Sequence, residues 1–128
     1  MAEKILGTES LFIKDKHVKL LEDDGYEVER LDKPEASEEE ICEAVKGKVG
    51  YILGGVEKVT ENVINSADCL KAIVFTGTSW DGFIPGHQLA TSKGIAIGAA
   101  PHINSHAVAE FGMTMSLVMC REVIDLAR

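Results

Sequence analysis

Residues 70–110 read LKAIVFTGTSWDGFIPGHQLATSKGIAIGAAPHINSHAVAE, and this stretch decides the fold. Ala72, Ile73, Val74 and Phe75 are apolar at successive positions, the pattern of a central strand in a parallel sheet with both faces covered. The pattern predicts a strand over 71–76, a glycine-led loop at Gly77, and a short helix ending at Gly94. A second buried strand over 95–98, a turn at Pro101 and the start of a long helix follow. Residues just past such strands lie at their carboxyl ends, where open α/β sheets bind ligands.

The chain before this stretch repeats the same alternation. Residues 4–6 read as a first strand and 7–10 as the loop at its carboxyl end. Over 11–24, Ile13, His17, Leu20 and Leu21 recur at helical spacing and Gly25 supplies the stop. Residues 26–31 place Tyr26 and Val28 on one face and charges on the other, as an edge strand would. Pro34 leads into a second helix, where Ser37 and Glu40 form a capping box ahead of Ile41. The acidic run Glu38, Glu39 and Glu40 then sits at that helix's positive end, a dipole arrangement and not a metal site. Residues 49–53 are a third strand followed by Gly54 and Gly55, and Thr60 caps a short helix through Ala67.

Five strand–helix alternations without repeats or a linker predict one α/β unit over 1–128. The expected architecture is a flavodoxin-like three-layer domain, a five-stranded parallel sheet in the order 2-1-3-4-5 with helices on both faces. The final helix, about 105–127, carries Val108, Phe111, Met113, Leu117, Val123 and Leu126 in too many directions for one sheet to cover. Part of it is expected to be exposed in a monomer and covered by self-association.

The chain of 128 residues carries 21 acidic and 13 basic residues, net charge -8, with the basic ones scattered. Nucleic acid and acidic membrane surfaces are therefore excluded as natural partners. Cys42, Cys69 and Cys120 have no metal-ligand spacing, and an odd count argues against a secreted disulfide framework. No segment approaches the roughly 18 apolar residues of a membrane helix, and the first ten residues carry no export pattern. The expected setting is cytoplasmic.

Residues 59–121 resemble the substrate-domain half of the D-isomer-specific 2-hydroxyacid dehydrogenases. The matching pieces are VTENVINSADCLKAI, the loop Phe75-Thr76-Gly77-Thr78-Ser79, the strand entry Lys93-Gly94-Ile95, then Pro101, Asn104 and Ala107-Val108-Ala109-Glu110. Arg121 follows about three turns on. Ser79 stands where that family has its second loop glycine, and Ile84-Pro85 where an Ile-Asp pair is common. The resemblance implies oxidoreduction of a small 2-oxo or 2-hydroxy acid with NAD. It further implies that backbone amides of the loops Gly54, Gly55, Val56 and Gly77, Thr78, Ser79 hold the substrate carboxylate. The catalytic arginine, glutamate and histidine of such enzymes lie in a second domain, which also carries the Gly-x-Gly-x-x-Gly loop. No such loop occurs here, so NAD is not expected to bind this chain alone. Asn104, at the helix start beside the cofactor cleft, is assigned a cofactor contact only with a second domain present.

Weighed as chemistry, the remaining residues read plainly. His102 and His106 are four apart, but no carboxylate or cysteine supports them at a metal-ligand spacing, so surface or capping roles are expected for these and for His87. Asn104 and Ser105 suit helix capping, Glu110 a structural role, and Arg121 and Arg128 the helix dipole. Asp81 is an isolated acid, and no nucleophile–base arrangement is present. The expectation is a substrate-binding lobe, inactive alone. The rival is a non-catalytic binding or assembly module that oligomerises through its last helix.

Overall fold

The computed structural model describes residues 2–8, 13–33 and 35–127. Their element order is β1 (Lys4–Thr8), α1 (Asp15–Asp23), β2 (Glu27–Leu31), α2 (Glu38–Ala44), β3 (Lys48–Leu53), α3 (Glu61–Ser66), β4 (Ala72–Phe75), α4 (His87–Ser92), β5 (Ala96–Ala99), α5 (Ser105–Cys120) and α6 (Val123–Leu126). The five strands form one sheet in the order β2-β1-β3-β4-β5, and every pair is parallel. The strand order and the parallel α/β architecture expected from the alternation are therefore present.

Local chemistry sets the element ends. Ser37 accepts from the backbone N–H of Glu40 while Glu40 Oε2 accepts from that of Ser37, so both halves of the capping box are made. Gly25 and Gly94 end α1 and α4 with φ of +91° and +76°, a region that side chains with a Cβ avoid. β2 is an edge strand, as expected, and β5 is the other.

The core lies on one face. Leu6, Tyr51, Leu53, Ile73 and Phe75 project from the strands against Ile41 and Val45 of α2 and its cap, Val63 and Ile64 of α3, and Ala90 of α4. On the other face, α1 lies over β2, with Val28 and Arg30 lining a cleft beneath it, and Ile13 packs 3.8 Å from where a Cβ of Gly7 would stand. Helices thus lie on both faces, but the second face is covered at one end only.

Several expectations require correction. Successive apolar residues in β4 predict that both its faces are covered, yet Val74 is 42% exposed, because among the described residues no helix is laid over that part of the second face. α1 begins at Asp15, not residue 11. Ile13 lies ahead of it, and Leu20 points to solvent. The last helix is not continuous over 105–127. It stops at Cys120, Glu122 takes a left-handed φ of +50°, and α6 starts afresh at Val123. β1 runs on through Thr8. The first-loop residues Glu9 and Ser10, Leu11 of the predicted first helix, Pro34 and Arg128 lie outside the described residues. Among the described residues no helix is long and apolar enough to cross a membrane.

Candidate functional site

The carboxyl ends of the strands are stitched into one rim. The backbone N–H of Gly54, after β3, donates to Thr8 Oγ1 of β1 at 3.3 Å. Thr76 N–H, after β4, donates to Leu53 O at 3.0 Å, and Ala100 N–H, after β5, donates to Gly77 O at 3.0 Å. The end of β1 and the loops after β3, β4 and β5 are thereby held against one another at the edge where α/β sheets bind ligands.

At the β4–β5 end of this rim lies a cavity of about 530 Å³ lined by Thr78, Ser79, Pro101, His102, Asn104, Ser105 and Val108. Gly77 makes the approach to it. A Cβ there would stand 2.6 Å from the ring of Phe75, itself stacked on Phe83 with centroids 4.7 Å apart. Glycine lets the chain turn over the Phe75 ring without displacing it and deliver Thr78 and Ser79 to the cavity. The 80–87 segment that follows folds back on the core. Ile84 is fully buried, Phe83 O accepts from Val59 N–H at 2.8 Å, and Trp80 meets His87 edge-on at 5.3 Å. Gly86 is pressed against the chain at Thr60, where a Cβ would come within 2.8 Å of the carbonyl carbon.

The sequence-predicted residues separate into two groups. Thr78, Ser79 and Asn104 come together in the cavity. Gly54 does not join them as a free donor. It is buried and its N–H is taken by Thr8, while Gly55 is half-buried and Val56 exposed. Asn104 stands at the N-cap position of α5 yet makes no side-chain cap bond, which overturns its reading as a capping residue. His102, expected as a surface or capping histidine, is exposed and lines the cavity with a left-handed φ of +64°. Its place between the end of β5 and the start of α5 is the signal available in the sequence, since that position lies at the rim whatever the residue. Three hydroxyls, one amide and an imidazole can hydrogen-bond a small carboxylate or hydroxyl group. Among the described residues no group of three or more potential ligands is placed to hold a metal ion.

Beneath the Gly54 loop is a second polar cluster. Glu57, 6% exposed, accepts from Tyr51 Oη at 3.3 Å through one carboxylate oxygen, and its other oxygen is buried without a partner among the described residues. Burial, and then the Glu57 charge, hold the Tyr51 phenol far above its ordinary range. This arrangement does not fit a dinucleotide. A pyrophosphate needs a glycine turn that opens directly into a helix N-terminus. Here the glycines lead over a buried carboxylate into α3, a helix of 6 residues. The Gly54–Gly55 loop is therefore not a pyrophosphate cradle.

Comparison with known proteins agrees with this geometry. The chain is 34% identical to D-3-phosphoglycerate dehydrogenase of Homo sapiens over 102 residues, which is 80% of this chain and 18% of that protein. Among solved structures, the TT0316 protein of Thermus thermophilus superposes with a TM-score of 0.83 at 25% identity, covering 97% of this chain and 39% of that one. The NAD+-bound 3-phosphoglycerate dehydrogenase of Entamoeba histolytica shares the fold, with a TM-score of 0.75 at 24% identity over 92% of this chain and 39% of that one. The chain spans less than a fifth of the human relative and about two fifths of these solved chains. The family described as D-isomer specific 2-hydroxyacid dehydrogenase, catalytic domain, matches residues 5–118, and with a parallel sheet of the expected order beneath that match, the chain belongs to this family.

Proposed function

We propose that the chain is the substrate-binding lobe of an NAD-dependent D-2-hydroxyacid dehydrogenase, holding a small 2-oxo or 2-hydroxy acid and inactive by itself. The observation that carries this reading is the cavity that joins Thr78 and Ser79 to Asn104 and Ser105 at the carboxyl ends of β4 and β5. In it, the hydroxyls of Thr78 and Ser79 and the N–H groups of their loop orient the acid's carboxylate. Asn104 faces the cofactor side and acts only with a second, NAD-binding unit. Gly55 and Val56 remain candidate carboxylate contacts, and Gly54 acts by holding their loop to β1. A cytoplasmic setting belongs to the proposal and rests on three free cysteines.

The test is an NMR titration of the chain with pyruvate, glyoxylate and D-lactate, following backbone amides. Shifts confined to Thr78, Ser79 and Asn104 are the expected result. Shifts at α1 or β2 alone would overturn it, as would turnover of NADH by this chain without a second unit.

A second reading is supported by α5. Every residue of this helix is exposed except Val118, which is half-buried. A helix so apolar is stable in water when a partner covers it, and we assign that role to a second copy of the chain.

A further inference from the structure

Glu57 is the one acidic side chain buried among the described residues. One carboxylate oxygen accepts from Tyr51 Oη at 3.3 Å, and the other is buried without a partner among the described residues. No ion pair among the described residues includes it. A buried charge that no cation offsets carries its field into its surroundings, because solvent screens it little. The nearest backbone at the rim is that of Gly55 and Val56, directly before Glu57 in the chain. Consecutive Cα atoms are about 3.8 Å apart, so a group held on the amides of Gly55 or Val56 stands on the order of 10 Å or less from this carboxylate. The β4–β5 end of the rim differs. The cavity there is lined by Thr78, Ser79, Asn104 and Ser105 with no carboxylate among its lining residues, and His102 is its one ionisable group.

We propose that Glu57 sets the substrate class of the lobe: its charge makes the Gly55–Val56 loop refuse a second anionic group, so the lobe takes 2-oxo and 2-hydroxy acids with an uncharged side chain and discriminates against phosphorylated and dicarboxylic ones. The inference rests on the substrate-lobe reading above and orients the acid within it. The carboxylate goes to the hydroxyls and amides of Thr78 and Ser79, and the C3 substituent goes toward Gly55 and Val56. Clustered backbone N–H groups alone would favour an anion at that second place. Gly54, however, gives its N–H to Thr8 Oγ1, which leaves two amides against a full charge. The Tyr51 phenol, held far above its ordinary range first by burial and then by Glu57, stays protonated and brings no positive charge to offset it. Two like unit charges about 10 Å apart, in an effective protein dielectric of about 20, repel by enough to weaken binding about tenfold. A carboxylate at Thr78 stands beyond β4, one strand spacing of about 4.8 Å further from this charge.

The test is an NMR titration of the chain with two matched pairs, D-glycerate against 3-phospho-D-glycerate and D-lactate against D-malate, following the amides of Gly55, Val56, Thr78 and Ser79. Each pair shares its C2 carboxylate, so the ratio of dissociation constants isolates the added anionic group. Three variants, checked for folding by circular dichroism, accompany the wild type. Glu57→Gln keeps the shape and removes the charge, Tyr51→Phe removes the hydrogen bond and keeps the charge, and Glu22→Gln removes the same unit of net charge on α1. In the wild type the dianionic member of each pair is expected to bind tenfold or more weakly than its partner. In Glu57→Gln the ratio is expected to fall to threefold or less, while Tyr51→Phe and Glu22→Gln leave it as in the wild type. Equal constants within the wild-type pairs overturn the role of Glu57 without any mutation. A ratio unchanged in Glu57→Gln, or lowered as far by Glu22→Gln or Tyr51→Phe, overturns it as well, since net charge or loop packing would then be the cause. No response to D-glycerate or D-lactate overturns the lobe reading, and this inference with it.

Discussion

The backbone N–H of Gly54 donates to Thr8 Oγ1 at 3.3 Å, so the loop after β3 is tied to the end of β1 through a donor that its sequence position offers to a ligand. The same hydroxyl donates to Ile52 O at 3.4 Å. Replacing Thr8 by Val keeps the shape but removes the bond to Ile52 O and leaves the buried Gly54 N–H without its partner, a loss of about 1–3 kcal/mol. Urea denaturation of Thr8→Val against Thr8→Ser separates the hydroxyl from the methyl, and the serine variant is expected to retain most of the stability.

Gly77 and Gly86 are glycines for packing reasons, and they differ in what stands in the way. A Cβ at Gly77 meets the Phe75 ring at 2.6 Å, whereas one at Gly86 meets the backbone of Thr60 and Glu61 at 2.8–3.0 Å. A ring can tilt at a cost of about 1–3 kcal/mol, but backbone yields less. Gly86→Ala is therefore expected to lower the melting temperature more than Gly77→Ala. Gly77→Ala is expected to alter the amide shifts of Thr78 and Ser79 more.

Glu29 binds two strands at once, with Lys4 of β1 on one oxygen and Lys48 of β3 on the other, both at 2.6 Å. The hydrogen bond from Lys4, then that from Lys48, pulls its carboxyl down from an ordinary 4.5 to about 2. A depressed acid stabilises the fold above its unfolded value and loses that contribution as pH falls through the folded one. Stability from this group is thus present above about pH 4.5 and disappears on the way to about pH 2. Because the side chain is 42% exposed, solvent screening holds the gain to about 1 kcal/mol. Thermal melts between pH 2 and 6 of wild type and Glu29→Gln should converge at the acid end.

Ser79 and Thr78 are exposed at the cavity. Their replacement by Ala is expected to change stability by no more than about 0.5 kcal/mol while weakening the NMR response to pyruvate. Equal weakening by a variant away from the cavity, such as Lys19→Ala in the cleft between α1 and β2, would show that the cavity is not where the acid binds.

Ser37→Ala removes an acceptor from the first turn of α2, which bonds the N–H of Glu40 at 3.3 Å. The expected cost is about 1 kcal/mol, read from the denaturation midpoint.

Local signals carried most of the architecture. The capping box at Ser37 and Glu40, the glycine stops at Gly25 and Gly94, and the runs of apolar residues in β3 and β4 each depend on a few neighbouring residues, and the alternation they compose leaves little choice of sheet order. The rim position of Thr78, Ser79 and Asn104 was legible for the same reason, because residues past a parallel strand sit at its carboxyl edge. What needed the tertiary structure was everything decided by residues distant in sequence. Gly54 lost its free N–H to Thr8, 46 positions away. Val74 looked like a residue buried on both sides of the sheet and is exposed, since an apolar side chain records that it prefers cover but not whether a helix arrives to give it. The break of the last helix at Glu122 and its departure from the sheet at His102 are set by backbone angles that no residue type there enforces. Composition and spacing determined the layers and the binding edge. Only packing decided which donors remain free and which faces remain bare.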